Sequence, residues 1–135
     1  MKTFEKFSAC SFGSFVCTIF TLLFGNVDYS LIFLVICMIL DFLTGMMAGG
    51  IEHKLSSEIC TRGLFKKLMI FVYVLIGHHM DVLLHVEYIR IAVCYLYATG
   101  EVLSIIENGT RIGIPVPEPI KKALDIMNDG GKENG

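Results

Sequence analysis

Charged residues are scarce in this chain of 135 residues: they make up 18% of the sequence, whereas a soluble domain usually carries about 25%. Neither sign is in large excess, because eleven lysines and arginines face thirteen aspartates and glutamates, for a net charge of −2. This balance argues against a nucleic-acid-binding protein that works through bulk positive charge. Hydrophobic residues make up 54% of the sequence, which excludes an intrinsically disordered chain.

Familiar catalytic and metal-binding motifs are also missing. The sequence has no HExxH, no phosphate-binding glycine loop and no Ser/His/Asp arrangement, so we predict neither enzyme activity nor a cofactor. The five cysteines form no CxxC pair, which argues against a zinc ribbon, a redox motif or a disulfide framework. His78, Asp81 and His85 share one helix face, but their spacing matches no zinc motif, and we predict no metal site.

What the sequence does contain is four long apolar stretches that are nearly free of charge. A bilayer-spanning helix needs about 20 mainly apolar residues. These stretches lack the polar face that a soluble helix bundle shows every 3.6 residues. We therefore predict an all-α integral membrane protein with one membrane domain, 1–127. Its four transmembrane helices cover about 7–25, 29–50, 66–85 and 88–107, and a loop occupies 51–65.

Basic residues predict the orientation of these helices. In a four-span topology ten of the eleven lysines and arginines fall on one side of the membrane, and Arg90 is the exception. Cytoplasmic segments carry an excess of lysine and arginine, so both termini and the loop 51–65 are expected in the cytoplasm.

Three acidic residues lie within the predicted spans: Asp41, Asp81 and Glu101. A charge at mid-span costs about 2.5–3.5 kcal/mol on insertion scales, so these side chains are not expected to face lipid. One reading is pairing inside the protomer, with Arg90 or a histidine. The other is that at least one acid faces an oligomer interface or an aqueous path. Gly45 and Gly49 share the helix face of Asp41 as a GxxxG pattern, which favours close helix approach.

The first span carries a stripe of hydroxyl residues on one helix face: Ser11, Ser14, Thr18 and Thr21. A packing seam between helices is the favoured interpretation, because small residues and hydroxyls support close contacts. A pore wall that meets water is the alternative.

Beyond the fourth span the character of the chain changes. Glycines and prolines end the helix, and 117–127 follows as a short amphipathic cytoplasmic helix. We expect it on the inner leaflet or docked on the central loop. Residues 128–135 are polar and glycine-rich and are predicted to be a disordered tail.

Five short segments, in order along residues 30–127, resemble the phage holin family that includes the toxin-secretion holins of clostridia. They are Asp41-Phe42-Leu43-Thr44-Gly45, Lys54-Leu55-Ser56-Ser57, 62–68, 100–108 and Ile112-Gly113-Ile114-Pro115-Val116-Pro117. Gly100 departs from the asparagine that the family often has there. The residues that match the family motifs are Asp41, Thr44, Gly45, Ser56, Gly63, Lys67, Glu101, Ser104, Glu107, Asn108, Gly113, Pro115 and Pro117.

The resemblance implies a homo-oligomeric protein of the bacterial inner membrane that opens timed lesions. Its functional partner would then be a phage endolysin, released for host lysis, or a secreted toxin. The residues expected to govern assembly or to line a pore are Asp41, Gly45, Gly49, Asp81, Glu101, Ser11, Ser14, Thr18 and Thr21. Two alternatives stay open: a regulatory membrane partner of the antiholin kind, and a small solute channel or transporter.

Overall fold

A computed structural model of the chain describes the backbone of residues 1–132, and side-chain surroundings except at 3, 4, 7, 8, 127, 128 and 130–132. This part of the chain is helical, as predicted, and has no strand. The helices are α1 (Lys2–Phe24), α2 (Tyr29–Ile51), α3 (Ser57–Leu84), α4 (Ile89–Ile112) and α5 (Glu118–Lys132).

Local capping chemistry sets the helix ends and keeps the connections short. The Asp28 carboxylate accepts from Leu31 N at 3.1 Å to begin α2, and the Ser56 hydroxyl accepts from Ile59 N at 3.3 Å to begin α3. His85 and Gly113 end α3 and α4 in the left-handed conformation, with φ of 55° and 98°.

Helix α3 already begins at Ser57, so much of the segment 51–65, predicted to be a cytoplasmic loop between two spans, is helical. The sequence-based boundary followed the first charged residues, which mark a membrane edge and not a helix end. At about 1.5 Å per residue, the 28 residues of α3 extend about 42 Å, beyond the roughly 30 Å of a hydrocarbon core. Charged residues therefore begin α3 without interrupting it.

Helix α4 lies at the centre of the packing. Its most extensive contacts are with α2, then with α3, whereas α2 and α3 touch each other little. The buried core between them consists of Leu31, Leu34, Met38, Ile70, Val74, Cys94 and Ala98. In the described part of the chain α1 packs mainly on α3, with Phe24 also accepting from Arg90 of α4, and the backbone of α5 approaches no other helix closely.

Among the residues whose surroundings are described, two helices, α2 and α4, are long and apolar enough to cross a membrane. Within the same residues α1 contributes the shorter apolar segment Ala9–Phe24, and α3 carries charges at both ends of its apolar run. Large apolar side chains on the outer surface of α2, among them Ile36, Ile39 and Leu43, are about half exposed, as lipid-facing residues are. Transmembrane placement of α1 and α3 stays a prediction.

Helix α5 is longer than the amphipathic segment 117–127 that the sequence predicts. It ends at Lys132, so the disorder predicted for 128–135 is wrong for 128–132, and residues 133–135 lie outside the described residues. Glycines at 130 and 131 lower helix propensity without breaking a helix, which is why composition alone misplaced its end.

Candidate functional site

A buried group of ionic side chains joins α2, α3 and α4. Lys67 Nζ of α3 lies 2.8 Å from Asp41 Oδ2 of α2 and also contacts Glu101 Oε2 of α4. The three side chains are only 12%, 17% and 12% exposed. With Asn108 of α4 they form what we term the Lys67 cluster.

Asn108 extends this cluster toward the end of the helix bundle at the 52–56 connection. Its Nδ2 donates to Asp41 Oδ1 at 3.2 Å and to Thr44 Oγ1 at 3.1 Å, and its Oδ1 accepts from Arg111 at 3.2 Å. Arg111 in turn donates to both carboxylate oxygens of Glu52, at 3.0 and 2.8 Å. This hydrogen bond and the guanidinium charge lower the pKa of Glu52 below its ordinary value. A continuous polar chain thus runs from mid-helix to the helix ends.

The depth and charge of the Lys67 cluster make it a candidate functional site. Asp41 and Glu101 each lie twelve residues beyond the start of their helices, about 18 Å along α2 and α4. Two carboxylates share one ammonium group, so the fully ionised trio carries a formal charge of −1. Ionisable groups inside membrane helices are expensive to bury and mark functional sites.

A second ionic group lies at the opposite end of the bundle. Arg90 Nη2 is 2.8 Å from Asp28 Oδ2, and its Nη1 donates to the carbonyl oxygens of Phe24 and Asn26 at 3.2 and 3.0 Å. Asp81 accepts from the backbone N–H groups of Ile89 and Arg90 at 2.9 and 3.0 Å, and so caps α4. We term Asp28, Asp81 and Arg90 the Arg90 cluster.

The environment of Asp28 favours its ionised form. Burial raises the pKa of this carboxyl group, but hydrogen bonds from Leu31 N and Ser30 Oγ, together with the Arg90 guanidinium, lower it more. The net pKa lies below the ordinary value. The turn 25–28 is therefore stabilised by an ionised carboxylate.

The predicted pairing of the in-span acids with Arg90 or a histidine is only partly right. Asp81 does bind Arg90, but through the backbone N–H of that residue, while the guanidinium pairs with Asp28. Asp41 and Glu101 pair with Lys67, which the charge distribution alone had assigned to the basic flank of the third span. A lysine side chain is long enough to reach back along its helix into the span.

The hydroxyl stripe of α1 forms no seam with another helix in the described part of the chain. Its four residues are exposed, and three of them bond to their own helix. Ser14, Thr18 and Thr21 donate to the carbonyl oxygens four residues earlier, at 2.9, 2.8 and 2.9 Å. These hydroxyls thus need no partner on another helix, and the choice between oligomer seam and pore wall stays a prediction.

Gly45 and Gly49 do not bring two helix backbones together inside the protomer. A Cβ at Gly45 would lie 3.5 Å from Asn108 Nδ2, and one at Gly49 would lie 3.5 Å from Leu55 Cδ1, which are ordinary contacts. The close approach occurs at Gly77, where a Cβ would lie 3.2 Å from Arg90 Cα. The sequence reasoning missed Gly77, although a single glycine within an apolar helix was the available signal.

The other family-motif residues serve the fold or line a cleft. Ser56 caps α3, Gly113 ends α4, and Pro115 lies in the linker before α5. Pro117 begins the next helix, where its carbonyl accepts from Ile120 N and Lys121 N. Gly63 and Ser104 line a cleft between α2 and α3, and Glu107 accepts through its carbonyl from the Thr110 hydroxyl.

Comparison with known proteins gives a consistent result. A family model described as the bacteriophage holin family matches residues 18–129. An uncharacterized 14.9 kDa protein in the nagH 3′ region of Clostridium perfringens is 39% identical over 83% of this chain and 86% of its own length. The uncharacterized protein Lmo0128 of Listeria monocytogenes is 36% identical over 95% of this chain and 89% of its own length. The uncharacterized protein YqxH of Bacillus subtilis is 32% identical over 79% of this chain and 76% of its own length. No solved structure matches. With its apolar helices α2 and α4, the chain is a membrane protein that belongs to the bacteriophage holin family.

Proposed function

We propose that the chain is a holin, which oligomerises in the bacterial inner membrane and opens timed lesions. Through them a muralytic enzyme reaches the cell wall, or a toxin leaves the cell. Membership of the holin family supports this proposal. The observation that carries it is the Lys67 cluster: ionic side chains that bind one another inside the bundle, with no backbone group fixing Lys67.

The proposed topology has four spans, α1 to α4, and both termini in the cytoplasm. It rests on the basic residues, of which only Arg90 falls on the outer side. Arg90 is compatible with that position because it is 9% exposed and its guanidinium is paired with Asp28. The positive charge is thus neutralised locally and does not oppose the orientation.

Assembly of the lesion is proposed to begin with buried ionic groups and end with hydrated ones. While protein accumulates, Lys67 neutralises part of the charge of Asp41 and Glu101 and keeps all three away from lipid. When protomers rearrange, water or a neighbouring chain replaces these partners. The self-bonded hydroxyls of α1 suit both stages, because they tolerate lipid and also bind water.

Peripheral placement of α1 supports this arrangement. Among the described residues it packs mainly on α3, chiefly near its C-terminal end, where Phe24 contacts Phe71. Its aromatic surface, including Phe12 and Phe15, is 71% and 63% exposed. We propose that α1 forms contacts between protomers through this surface.

Induced expression in a bacterium that holds a signal-less muralytic enzyme in its cytosol tests the function. Membrane potential and optical density are recorded together. A holin gives abrupt depolarisation followed at once by lysis. Absence of both effects, with the protein present in the membrane, contradicts the proposal and favours a regulatory partner that forms no lesion.

The site is tested in the same assay by removing its charges together. The variant Lys67→Met/Asp41→Asn/Glu101→Gln retains the side-chain volumes but no ionic pairing. We expect a changed onset of depolarisation at equal membrane content, measured by immunoblot. The matched control Lys122→Met alters an exposed lysine of α5 and is expected to keep the wild-type onset.

A further inference from the structure

A cleft of about 280 Å³ lies between α2 and α3, at the end of the bundle closed by the 52–56 connection. It exists because these two helices pack on α4 and hardly on each other. Apolar side chains form part of its walls: Phe42 and Met46 of α2, Leu55 of the connection and Ile59 of α3. The Lys67 cluster also lines the cleft, through Asp41, Lys67 and Asn108. Only the apolar part of the lining is suited to a hydrocarbon.

The cleft opens sideways, toward the space around the bundle. Met46, Leu55 and Ile59 are 38%, 48% and 59% exposed, so the described chain leaves them partly uncovered. Phe42 and Met46 belong to α2, which is long and apolar enough to cross a membrane, so these walls lie at the depth of lipid chains. In a bilayer the opening faces lipid.

Basic side chains stand at the mouth of the cleft. Arg111 and Lys54 both line it, and Arg111 is already paired with Glu52. Lys54 is exposed and forms no ion pair within the described residues. A basic pocket between membrane helices on the cytoplasmic side binds anionic lipid headgroups. Lys54 is thus placed to meet a phosphate group, with Arg111 beside it.

The structure assigns this cleft to an anionic phospholipid of the inner leaflet, with one acyl chain between α2 and α3 and its phosphate at Lys54. The leaflet follows from the topology proposed above. The cleft itself does not depend on lesion formation.

A water molecule occupies about 30 Å³ of liquid, and a methylene group is of similar size, so a cleft of about 280 Å³ has room for part of an acyl chain.

Native mass spectrometry of the full chain in mild detergent tests the assignment. Equal amounts of phosphatidylglycerol and phosphatidylcholine with identical acyl chains are added. We expect phosphatidylglycerol to be retained preferentially. Lys54→Gln should lower phosphatidylglycerol affinity about five-fold, since one basic residue near a membrane surface contributes about 1 kcal/mol, and should leave phosphatidylcholine unchanged. Lys122→Gln on α5 is the matched control.

A second variant fills the cleft. Gly63 lines it and has open space around a Cβ, so Gly63→Phe is expected to abolish retention of both lipids. Gly100, also open and outside the cleft, provides the control Gly100→Phe. Helix content measured by circular dichroism confirms that each variant is folded.

Three results would overturn the assignment. The first is equal retention of both lipids by the wild-type chain. The second is displacement of phosphatidylglycerol by an equal concentration of inorganic phosphate, which would identify a free-phosphate site. The third is loss of cross-linked oligomers in Gly63→Phe with lipid retention unchanged, which would assign the cleft to a second copy. All three are read in detergent, so they are independent of whether the chain lyses cells.

Discussion

The Arg90 cluster and the Lys67 cluster contain the same chemistry, one cation and two carboxylates, but they are attached to the fold differently. In the Arg90 cluster most hydrogen bonds reach backbone atoms: Arg90 binds the carbonyls of Phe24 and Asn26, and Asp81 binds two N–H groups of α4. In the Lys67 cluster the ammonium group binds only side-chain carboxylates. The Arg90 cluster binds the ends of helices, whereas the Lys67 cluster links the sides of three helices.

The backbone contacts give the Arg90 cluster the larger expected contribution to stability. Backbone groups at helix ends have no partner within their own helix, so loss of the Arg90 cluster leaves several of them unpaired at once. Side-chain pairs can exchange partners while every helix remains whole. The Lys67 cluster is therefore the group whose rearrangement a folded, membrane-embedded chain can tolerate, and the two clusters should respond differently to the same kind of substitution.

The largest expected effect is that of Arg90→Met. It leaves Asp28 and the carbonyls of Phe24 and Asn26 without their donor, and breaking a buried pair costs about 3–5 kcal/mol. Thermal unfolding in detergent, followed by circular dichroism, measures the loss. The double variant Arg90→Met/Asp28→Asn should not recover stability, because the carbonyls stay unpaired. Recovery to the wild-type Tm would show that the ion pair alone matters.

Lys67→Met should destabilise the bundle somewhat less, by about 3 kcal/mol, because it leaves Asp41 and Glu101 facing one another without a cation. Here the neutral variant Lys67→Met/Asp41→Asn/Glu101→Gln should return to near wild-type stability, since no backbone partner is lost. The same thermal unfolding measures both chains. A triple variant as unstable as Lys67→Met would remove the distinction between the two clusters.

The two ends of the bundle should also differ in their response to a single added methyl group. Gly77→Ala places a Cβ 3.2 Å from Arg90 Cα and should cost about 1–3 kcal/mol, because backbone cannot move aside as a side chain can. Gly45→Ala meets only Asn108 Nδ2 at 3.5 Å and should change the Tm little. A lower Tm for Gly45→Ala than for Gly77→Ala would contradict this packing.

Much of this arrangement can be predicted from the sequence, but only the features that depend on residues close together along the chain. Apolar runs predicted both ends of α2 and the start of α4 to within one residue, because hydrophobic length determines them, but α4 continues five residues beyond the predicted end at 107. The choice of Lys67 as partner for Asp41 and Glu101 depends on how far a long side chain reaches across three helices, which spacing along one helix does not show. The same limit explains why Gly45 and Gly49 were chosen and Gly77 was missed: only packing shows which glycine another backbone approaches.

The smallest expected effect is a dependence of stability on pH at the Arg90 cluster. The pKa of Asp28 is lower in the folded chain than its ordinary value, so its ionised form stabilises the fold. That contribution is complete above the unfolded pKa of about 3.9 and is lost as pH falls through the lower folded pKa. The effect is at most about 1 kcal/mol, because a third of the side chain is exposed.

The difference in Tm between the wild-type chain and Asp28→Asn isolates this effect from other acids. We expect the wild-type chain to be the more stable above about pH 4, and the gap to narrow as the pH is lowered toward about 2, since protonated Asp28 and asparagine both lack the charge that attracts Arg90. Glu52→Gln provides the matched control at the opposite end, where an exposed pair with Arg111 should give a smaller gap. A difference in Tm for Asp28→Asn that stays constant with pH would mean that Asp28 acts as a neutral cap of α2. The backbone bonds of Arg90 alone would then hold the turn 25–28.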